Sequence, residues 1–417
     1  MTANLALAAP TAGSDAGTPI RFEAIENESV QRILKATREH LGTEIAFVGR
    51  YVEGDQRELM HVDTDLDLPM GAGFREPRED SFCWHILEGR LPELIPDAQA
   101  IPLARSLPVT GMLPVGLHLN VPLRLSDGSV FGSFCCVSRD ADRTITQRDM
   151  NVLRAFGRLA AEQIETSLAG EEQRLVTRRK IDDVMAARGL SIAMQPIHEL
   201  STNRVAGFEC LSRFAANGDL RSPDLWFGEA KTVGMGVDLE IFAIECALTE
   251  ARRMPGDIYI SLNASPETIL SGRVAQALRT AGDRRIVLEV TEHEQVGDFA
   301  GLAEALREIA PFAKIAIDDV GAGYAGLRYL VDLAPDILKL DTSLTTNIDT
   351  DLARQAMTAA IVHFAKAIGS EVVGEGIERQ GELDMLRELG VHYGQGYHFA
   401  KPMPFVRANQ YLLKSMI

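Results

Sequence analysis

Positive charge is scarce in this sequence. Against 59 Asp and Glu stand 42 Lys and Arg, a formal net charge of −17 over 417 residues. That balance excludes a binder of nucleic-acid polymers without regard to sequence, whose affinity comes mostly from Lys and Arg on phosphates. A ligand carrying phosphates would need local bases or metal ions to offset the field. Long apolar runs are also missing: none approaches the roughly 20 residues of a membrane span, so no membrane insertion is expected. Cysteine is limited to Cys83, Cys135, Cys136, Cys210 and Cys246. Their odd number, without CxxC spacing or a partner His at ligand distance, reads as reduced cytoplasmic thiols. Residues 1–20 lack the basic start and apolar centre of a signal peptide and read as a disordered tail rich in Ala, Thr, Gly, Ser and Pro.

What remains is ample for buried cores. Hydrophobic residues make up 46% of the chain, and its length suggests two or three domains, one of them large enough for a barrel. In the first half an amphipathic helix starts near Ile20 and ends near Gly42. Strand-like alternation follows in Glu44 to Val52 and in residues 57 to 63. Glu79 to Leu87 reads as a short helix, and SDG joins two further strands, Gly116 to Leu125 and Val130 to Val137. A helical stripe then runs from Thr144 to about Leu168, completing a compact α+β domain. Cys83 and His85 read as packing residues sooner than chromophore or haem contacts. Cys135 and Cys136, adjacent on a strand, face opposite sides and also read as packing. Ser167 to Arg188 reads as a linker helix, either a dimerisation seam or a solvated spacer.

From Ser191 one theme repeats: a short apolar run, a polar residue at its end, then a helical segment. The runs are Ser191 to Ile197, Val205 to Phe214, Ile258 to Ala264, Ile286 to Thr291, Lys314 to Asp319, Ile337 to Asp341, Glu371 to Gly376 and His392 to Tyr397. Eight such runs suggest a (β/α)8 barrel. Between the first two lie only about seven residues, His198 to Arg204, and a parallel crossover needs roughly a dozen. One strand should therefore be antiparallel.

Barrels place their chemistry at the C-terminal ends of strands. There stand Glu209, Asn263, Glu289, Asp318 with Asp319, Lys339 with Asp341, Glu375 and Gln395. Alone, the Asp pair before a glycine could be turn chemistry. Together, so many carboxylates exceed what one or two bases can neutralise, and burying them costs several kcal/mol each unless they are paired or metal-bound. The donors are all oxygens, which favours Mg²⁺ or Mn²⁺ over Zn²⁺. Two such ions bridged by one Asp would activate water for in-line attack on a phosphate ester.

The phrases SFCWHILEGRLPELIPDA, NVPLRLSDGSVFGSFCCVS and RDMNVLRAFGRLAAEQIE resemble a GAF domain over residues 21–167, which implies a sensory module whose ligand the sequence leaves open. QPI, GFECLSR, ISLNASP, LEVTE, IDDVGAGYAGL, LKLD, VVGEGIE and GQGYHFAKP resemble, in order and spacing, the EAL-domain cyclic di-GMP phosphodiesterases over residues 186–417, with residues 168–185 as linker. That resemblance implies a cytoplasmic hydrolase converting cyclic di-GMP to linear pGpG, regulated by the GAF domain and dimeric through the EAL domain and linker helix. Carried across by position, it implies that Glu209, Asn263, Glu289 and Asp318 bind one metal, and that Asp318 and Asp319 bind the second. Lys339 would polarise the nucleophilic water and Glu375 would complete the site around it. Gln195, Arg213, Asp341 and Gln395 would contact substrate or frame the site, and Glu292 would anchor the loop after the Asp pair.

Two motifs depart from the family pattern. The signature EAL is Glu209-Cys210-Leu211, and Val320, Ala322, Ala325 and Gly326 replace the more usual Phe, Thr, Ser and Ser, which removes hydroxyls that could pin the loop. The rival reading is an EAL domain without catalysis that binds cyclic di-GMP and signals through partners; a different metal-dependent phosphodiesterase would share the metals but not Arg213 and Gln195.

Overall fold

Alternating side chains on extended backbone give a sheet two unlike faces, and both halves of this chain use that property. The structure, a computed structural model, describes residues 28–214, 221–290, 298–321 and 327–415. The expected tail, the start of the helix at Ile20, Glu292 and the loop positions Ala322, Ala325 and Gly326 lie outside the described residues. The chain divides into two compact units, residues 1–173 and 174–417. No helix among the described residues is long and apolar enough to cross a membrane.

The first unit holds an antiparallel sheet of β1 (Ile45–Val52), β2 (Gln56–Thr64), β3 (Arg75–Pro77), β4 (Leu94–Ile95), β5 (Leu117–Arg124) and β6 (Val130–Ser138), ordered β3-β2-β1-β6-β5-β4. One face carries Leu119, Val121, Phe134 and Cys136, buried against the helix Glu28–Leu41 and against Met150, Leu153 and Ile164 of the helix Gln147–Ala186. The other face carries Ile45 and Val137, covered by Phe82 and Ile86 of the helix Phe82–Leu87. Cys135 and Cys136 therefore do face opposite sides. The sequence suggests a closing helix near Leu168 and a separate linker helix, but Gln147–Ala186 is one unbroken helix of 40 residues. No proline interrupts that stretch, so the backbone hydrogen-bond ladder continues where only the side-chain composition changes.

The second unit is a closed barrel. β8 (Val205–Phe214), β9 (Tyr259–Ala264), β10 (Ile286–Val290), β11 (Lys314–Val320), β12 (Ile337–Leu340), β13 (Glu371–Gly374) and β14 (Tyr393–Gly394) run parallel in sequence order. β7 (Leu190–Glu199) is antiparallel to both β8 and β14 and closes the ring, as its short connection to β8 requires. β15 (Met403–Pro404) pairs with β7 from outside.

Inward positions form two layers. Ile197, Tyr259, Val287, Ala316, Ile337 and Val373 make a buried apolar floor, with Tyr393 packed on it. Each large apolar side chain buried there contributes about 1.5–3 kcal/mol. Gly207 is needed in this layer because a Cβ would stand 2.6 Å from the Tyr259 ring. Two residues along each strand, the period of 2 brings Gln195, Glu209, Ser261, Glu289, Asp318, Lys339, Glu375 and Gln395 to the next level, on the catalytic side of such barrels.

Candidate active site

Lys339 is the centre of this upper layer. It is 2% exposed, and its Nζ lies 2.6 Å from Glu289 Oε2, 3.0 Å from Asp318 Oδ1 and 2.6 Å from Glu375 Oε1. Glu209 completes the cluster through neutral donors: Gln395 Nε2 donates to its Oε2 at 2.5 Å and Asn263 Nδ2 to its Oε1 at 3.0 Å. Gln395 Nε2 also reaches Gln195 Oε1 at 3.1 Å, and Gln195 Nε2 donates to the Ala400 carbonyl at 3.2 Å. Ser261 Oγ donates to Glu289 Oε1.

Asp318 and Asp319 reach one site because the strand ends irregularly between them and β12. The β11–β12 register shifts between Ile317 and Val320, and Asp319 adopts φ +55°, a left-handed conformation in which alternation no longer applies. Its N–H donates to Asp318 Oδ1 at 3.0 Å. Asp318, Asp319 and Glu375 each present a carboxylate oxygen within 4.8 Å of the others. Gly321 follows at φ +109°.

One ammonium serves too many acids. Among the described residues no other Lys or Arg lies within ion-pair distance of Glu209, Glu289, Asp318 or Glu375. Burial, only partly opposed by Lys339 and reinforced by the Glu209, Asp318 and Glu375 charges, pushes Glu289 well above the usual carboxylate range. Burial likewise pushes Glu375 up to about 8, with Asp318 and Glu209 adding to the effect of burial. Glu209 is held low: burial acts upward, but Lys339, Gln395 and Asn263 outweigh it. Burial acts against the charge on Lys339, and the surrounding carboxylates more than compensate.

The remaining residues singled out from sequence lie at the rim or elsewhere. Arg213, four residues beyond Glu209, lines an open cleft with Asn263, Ser265 and Glu240. Its Nη1 donates to the Ser212 carbonyl at 2.7 Å. The Asp341 carboxylate caps the helix Thr342–Thr345, accepting from Ser343 N at 2.9 Å. Cys210, the changed middle residue of the signature, points away from the acids into the outer core. Glu292 lies outside the described residues.

Two supports carried no role in the sequence reading. Ser261 is one: its bond to Glu289 depends on the register of β9 against β10, which no sequence pattern displays. Glu382, in the helix Gln380–Glu388, accepts from Asn347 N at 2.9 Å and from Glu378 N and Arg379 N at 3.0 Å each. It ties the turn after Glu375 to the turn after Lys339. No capping signature marks it in the sequence, because Arg379 at the N-cap offers no acceptor and only the return bond from Arg379 N to Glu382 forms.

Residues 178–402 match the profile of the EAL domain, and residues 26–165 that of the GAF domain. A relative in Escherichia coli (strain K12), named "Probable cyclic di-GMP phosphodiesterase PdeB", is 31% identical over 236 residues, covering 54% of this chain and 45% of that protein. A cyclic di-GMP phosphodiesterase of Pseudomonas aeruginosa is 30% identical over 233 residues, covering 52% of this chain and 38% of that protein. The chain thus spans less than half the length of these two curated relatives. The crystal structure of an EAL domain protein from Listeria monocytogenes EGD-e superposes with a TM-score of 0.51 at 27% identity, covering 58% of this chain and 98% of that one. The EAL match runs through every strand of the closed ring from β7 to β14 and takes in more than half the residues, so the chain belongs to the EAL domain family, with a GAF domain preceding the barrel in sequence.

Proposed function

We propose that this protein hydrolyses one phosphodiester bond of cyclic di-GMP to give linear pGpG with the help of two divalent cations. The observation that carries the reading is the charge imbalance of the barrel's upper layer. Glu209, Glu289, Asp318 and Glu375 gather at one level of the barrel around a single ammonium, and Asp318, Asp319 and Glu375 bring carboxylate oxygens within 4.8 Å of one another, a set of oxygen donors that two divalent ions would suit. The donor set fits hard cations, since every candidate ligand atom is an oxygen. Glu209, Asn263, Glu289 and Asp318 would hold one Mg²⁺ or Mn²⁺, and Asp318 with Asp319 the other.

When bound, the two ions would lower the pKa of the attacking water and offset the phosphodiester charge. The chain's own residues do the rest. Lys339, whose three N–H donors face Glu289, Asp318 and Glu375 in this structure, would give one of them up to the water and so help to fix its line of attack. Glu375, whose carboxylate lies beside Lys339 and Asp318, would accept the water's proton. The water oxygen joins phosphorus, the bond from phosphorus to the ribose 3′ oxygen breaks, and that oxygen takes a proton. Arg213 at the cleft would engage a substrate phosphate, and Gln195 with Asp341 would position the nucleotide. Gln395 would keep Glu209 oriented. Glu292 would brace the loop that follows Asp319. The GAF domain would set the rate through the helix Gln147–Ala186, with a homodimer formed through the barrel and that helix.

The test is direct. The full chain with cyclic di-GMP and Mg²⁺ or Mn²⁺ should release pGpG, resolved by chromatography, and Glu209→Ala and Lys339→Ala should each reduce turnover by at least about 100-fold, the scale of a lost transition-state contact. Nucleotide binding without any turnover by the wild type would replace this reading with that of a receptor. Turnover that survives Glu209→Ala would place the metal site elsewhere.

A further inference from the structure

A second convergence of ligating side chains lies inside the N-terminal unit, among residues the barrel chemistry does not use. In the antiparallel register of β5 and β6, Asn120 faces Cys135 and His118 faces Val137, so His118, Asn120 and Cys135 share one face. The helix Phe82–Leu87 lies over that face, capped by Ser81, and sets Cys83 above it. Cys83 Sγ and Cys135 Sγ are 3.1 Å apart. A ring nitrogen of His118 lies within 4.8 Å of both sulfurs. All three residues are at most 2% exposed.

Cys83 and Cys135, read from the sequence as packing residues, are buried as that reading expects but do not sit among apolar neighbours alone. Each sulfur accepts an N–H: Arg57 Nη1 donates to Cys83 Sγ at 3.1 Å and Asn120 Nδ2 to Cys135 Sγ at 3.1 Å. Inert thiols in an apolar core do not attract donors of this kind. His118 stacks on Phe82 with ring centroids 4.6 Å apart, and its buried Nδ1 has no hydrogen-bond partner among the described residues. Two sulfurs and an imidazole nitrogen, all buried and within 4.8 Å of one another, present three lone pairs that one acceptor could take at once.

We propose that Cys83, Cys135 and His118 form a binding site for a thiophilic divalent cation of the zinc class. Two sulfurs and one imidazole nitrogen suit that class and suit neither Mg²⁺ nor Ca²⁺. The N–H donors from Arg57 and Asn120 are the outer contacts that thiolate ligands use to spread their charge. Arg57 is itself balanced by Glu76, 2.7 Å away. Two sulfurs each about 2.3 Å from one tetrahedral ion stand about 3.8 Å apart, so occupancy moves the pair apart by about 0.7 Å. Three protein ligands leave a fourth position. His118, Arg57, Glu76 and Phe82 also border the apolar cavity of this unit, which offers room for water or a small donor ligand there. A disulfide is the competing chemistry, but two thiols buried this fully are poorly placed to meet an oxidant.

The experiment uses the full chain, fully reduced and stripped of metal, titrated with Co²⁺ and then challenged with Zn²⁺. The wild type should take up one equivalent with thiolate-to-cobalt charge-transfer absorption, which the oxygen donors of the barrel cannot produce, and Zn²⁺ should abolish the band. Cys83→Ser and Cys135→Ser should each lose it, and His118→Gln should weaken Co²⁺ binding at least about 10-fold. Cys136→Ser, on the opposite face, and Cys246→Ser, in the other unit, should leave it unchanged. Absence of the band in reduced wild type with native circular dichroism would overturn the proposal. So would a band that persists in the double variant Cys83→Ser/Cys135→Ser. A wild type that ignores Co²⁺ yet closes a Cys83–Cys135 disulfide with diamide would replace the metal site with a dithiol switch.

Discussion

Replacing Lys339 by Met removes the one ammonium from a cluster of acids while keeping most of its volume. Three carboxylate oxygens lie 2.6, 3.0 and 2.6 Å from that ammonium. At an effective dielectric near 20, each contact is worth roughly 5 kcal/mol of gross attraction. Taking the ions out of water costs several kcal/mol each, so the gross figure far exceeds the net, and truncating one member of a buried ionic cluster typically costs about 3–5 kcal/mol. For a unit of this size that lowers the melting midpoint by roughly 6–20 °C in metal-free buffer. Divalent cations offer the same acids another counter-charge. Mg²⁺ at about 100 times its Kd stabilises a single-site protein by about 2.7 kcal/mol, and Lys339→Met should show a larger Mg²⁺-dependent rise than the wild type because the competing ammonium is gone. Trp84 belongs to the first unit and Trp226, fully buried, to the second. A Trp84→Phe background therefore lets Trp226 fluorescence report the barrel alone. A Lys339→Met barrel as stable as wild type without divalent ions, or one with no greater response to Mg²⁺, would refute the account of Lys339 as compensation for buried charge.

Gly321→Ala should destabilise the barrel by about 1–3 kcal/mol, since φ is +109° there and a Cβ would stand 2.2 Å from Leu344 Cδ1; Leu344→Ala in the same chain should recover part of the loss, because it relieves the clash and leaves the backbone strain, and thermal denaturation reads both. Glu382 accepts from three backbone N–H groups and from Arg379, and these donors hold its carboxyl below 4.5 although burial acts the other way. A depressed folded pKa gives stability that is present above the unfolded value and is lost as pH falls through the folded one. Glu382→Gln should therefore cost about 1–3 kcal/mol at pH 7 and lose less than wild type between pH 7 and pH 3.5, measured by denaturant unfolding. Arg213→Ala should weaken cyclic di-GMP binding about 10-fold or more in calorimetry while leaving the Trp226 melting midpoint within about 2 °C, because its described hydrogen bond is to its own neighbour Ser212.

The barrel was legible because strand ends carry two messages at once. In Ile337–Leu340 or Glu371–Gly374 the apolar positions announce a buried strand and the alternating polar position marks the inward face. The antiparallel first pair followed from a connection too short to cross over. Long-range geometry was less accessible. That Gln395 bridges Gln195 and Glu209 depends on ring closure between β14 and β7, about 200 residues apart in sequence. The role of Glu382 depends on two turns being neighbours. In the first unit the short strands β3 and β4 and the small helices between residues 98 and 112 lack enough residues to display a period. The approach of Cys83 to Cys135 was hidden for a related reason: one sits on a helix, the other on a strand 52 residues later, and no spacing rule joins them.

The two layers of the barrel explain why the site can hold so much charge. Tyr259 and Tyr393, 6.4 Å apart edge to face, close the floor beneath the acids, and Gly207 makes room for the Tyr259 ring. The recorded partners of Glu209, Glu289 and Lys339 among the described residues all stand above that floor, so their fields add within the upper layer. Neutral donors such as Asn263, Ser261 and Gln395 orient the carboxylates without cancelling their charge. An arrangement selected for stability alone would have paired each acid with its own base. Here a single lysine is shared and amides do the orienting, so among the described residues the acids of this layer outnumber the bases that pair with them, which is the imbalance the proposed two-cation reading rests on.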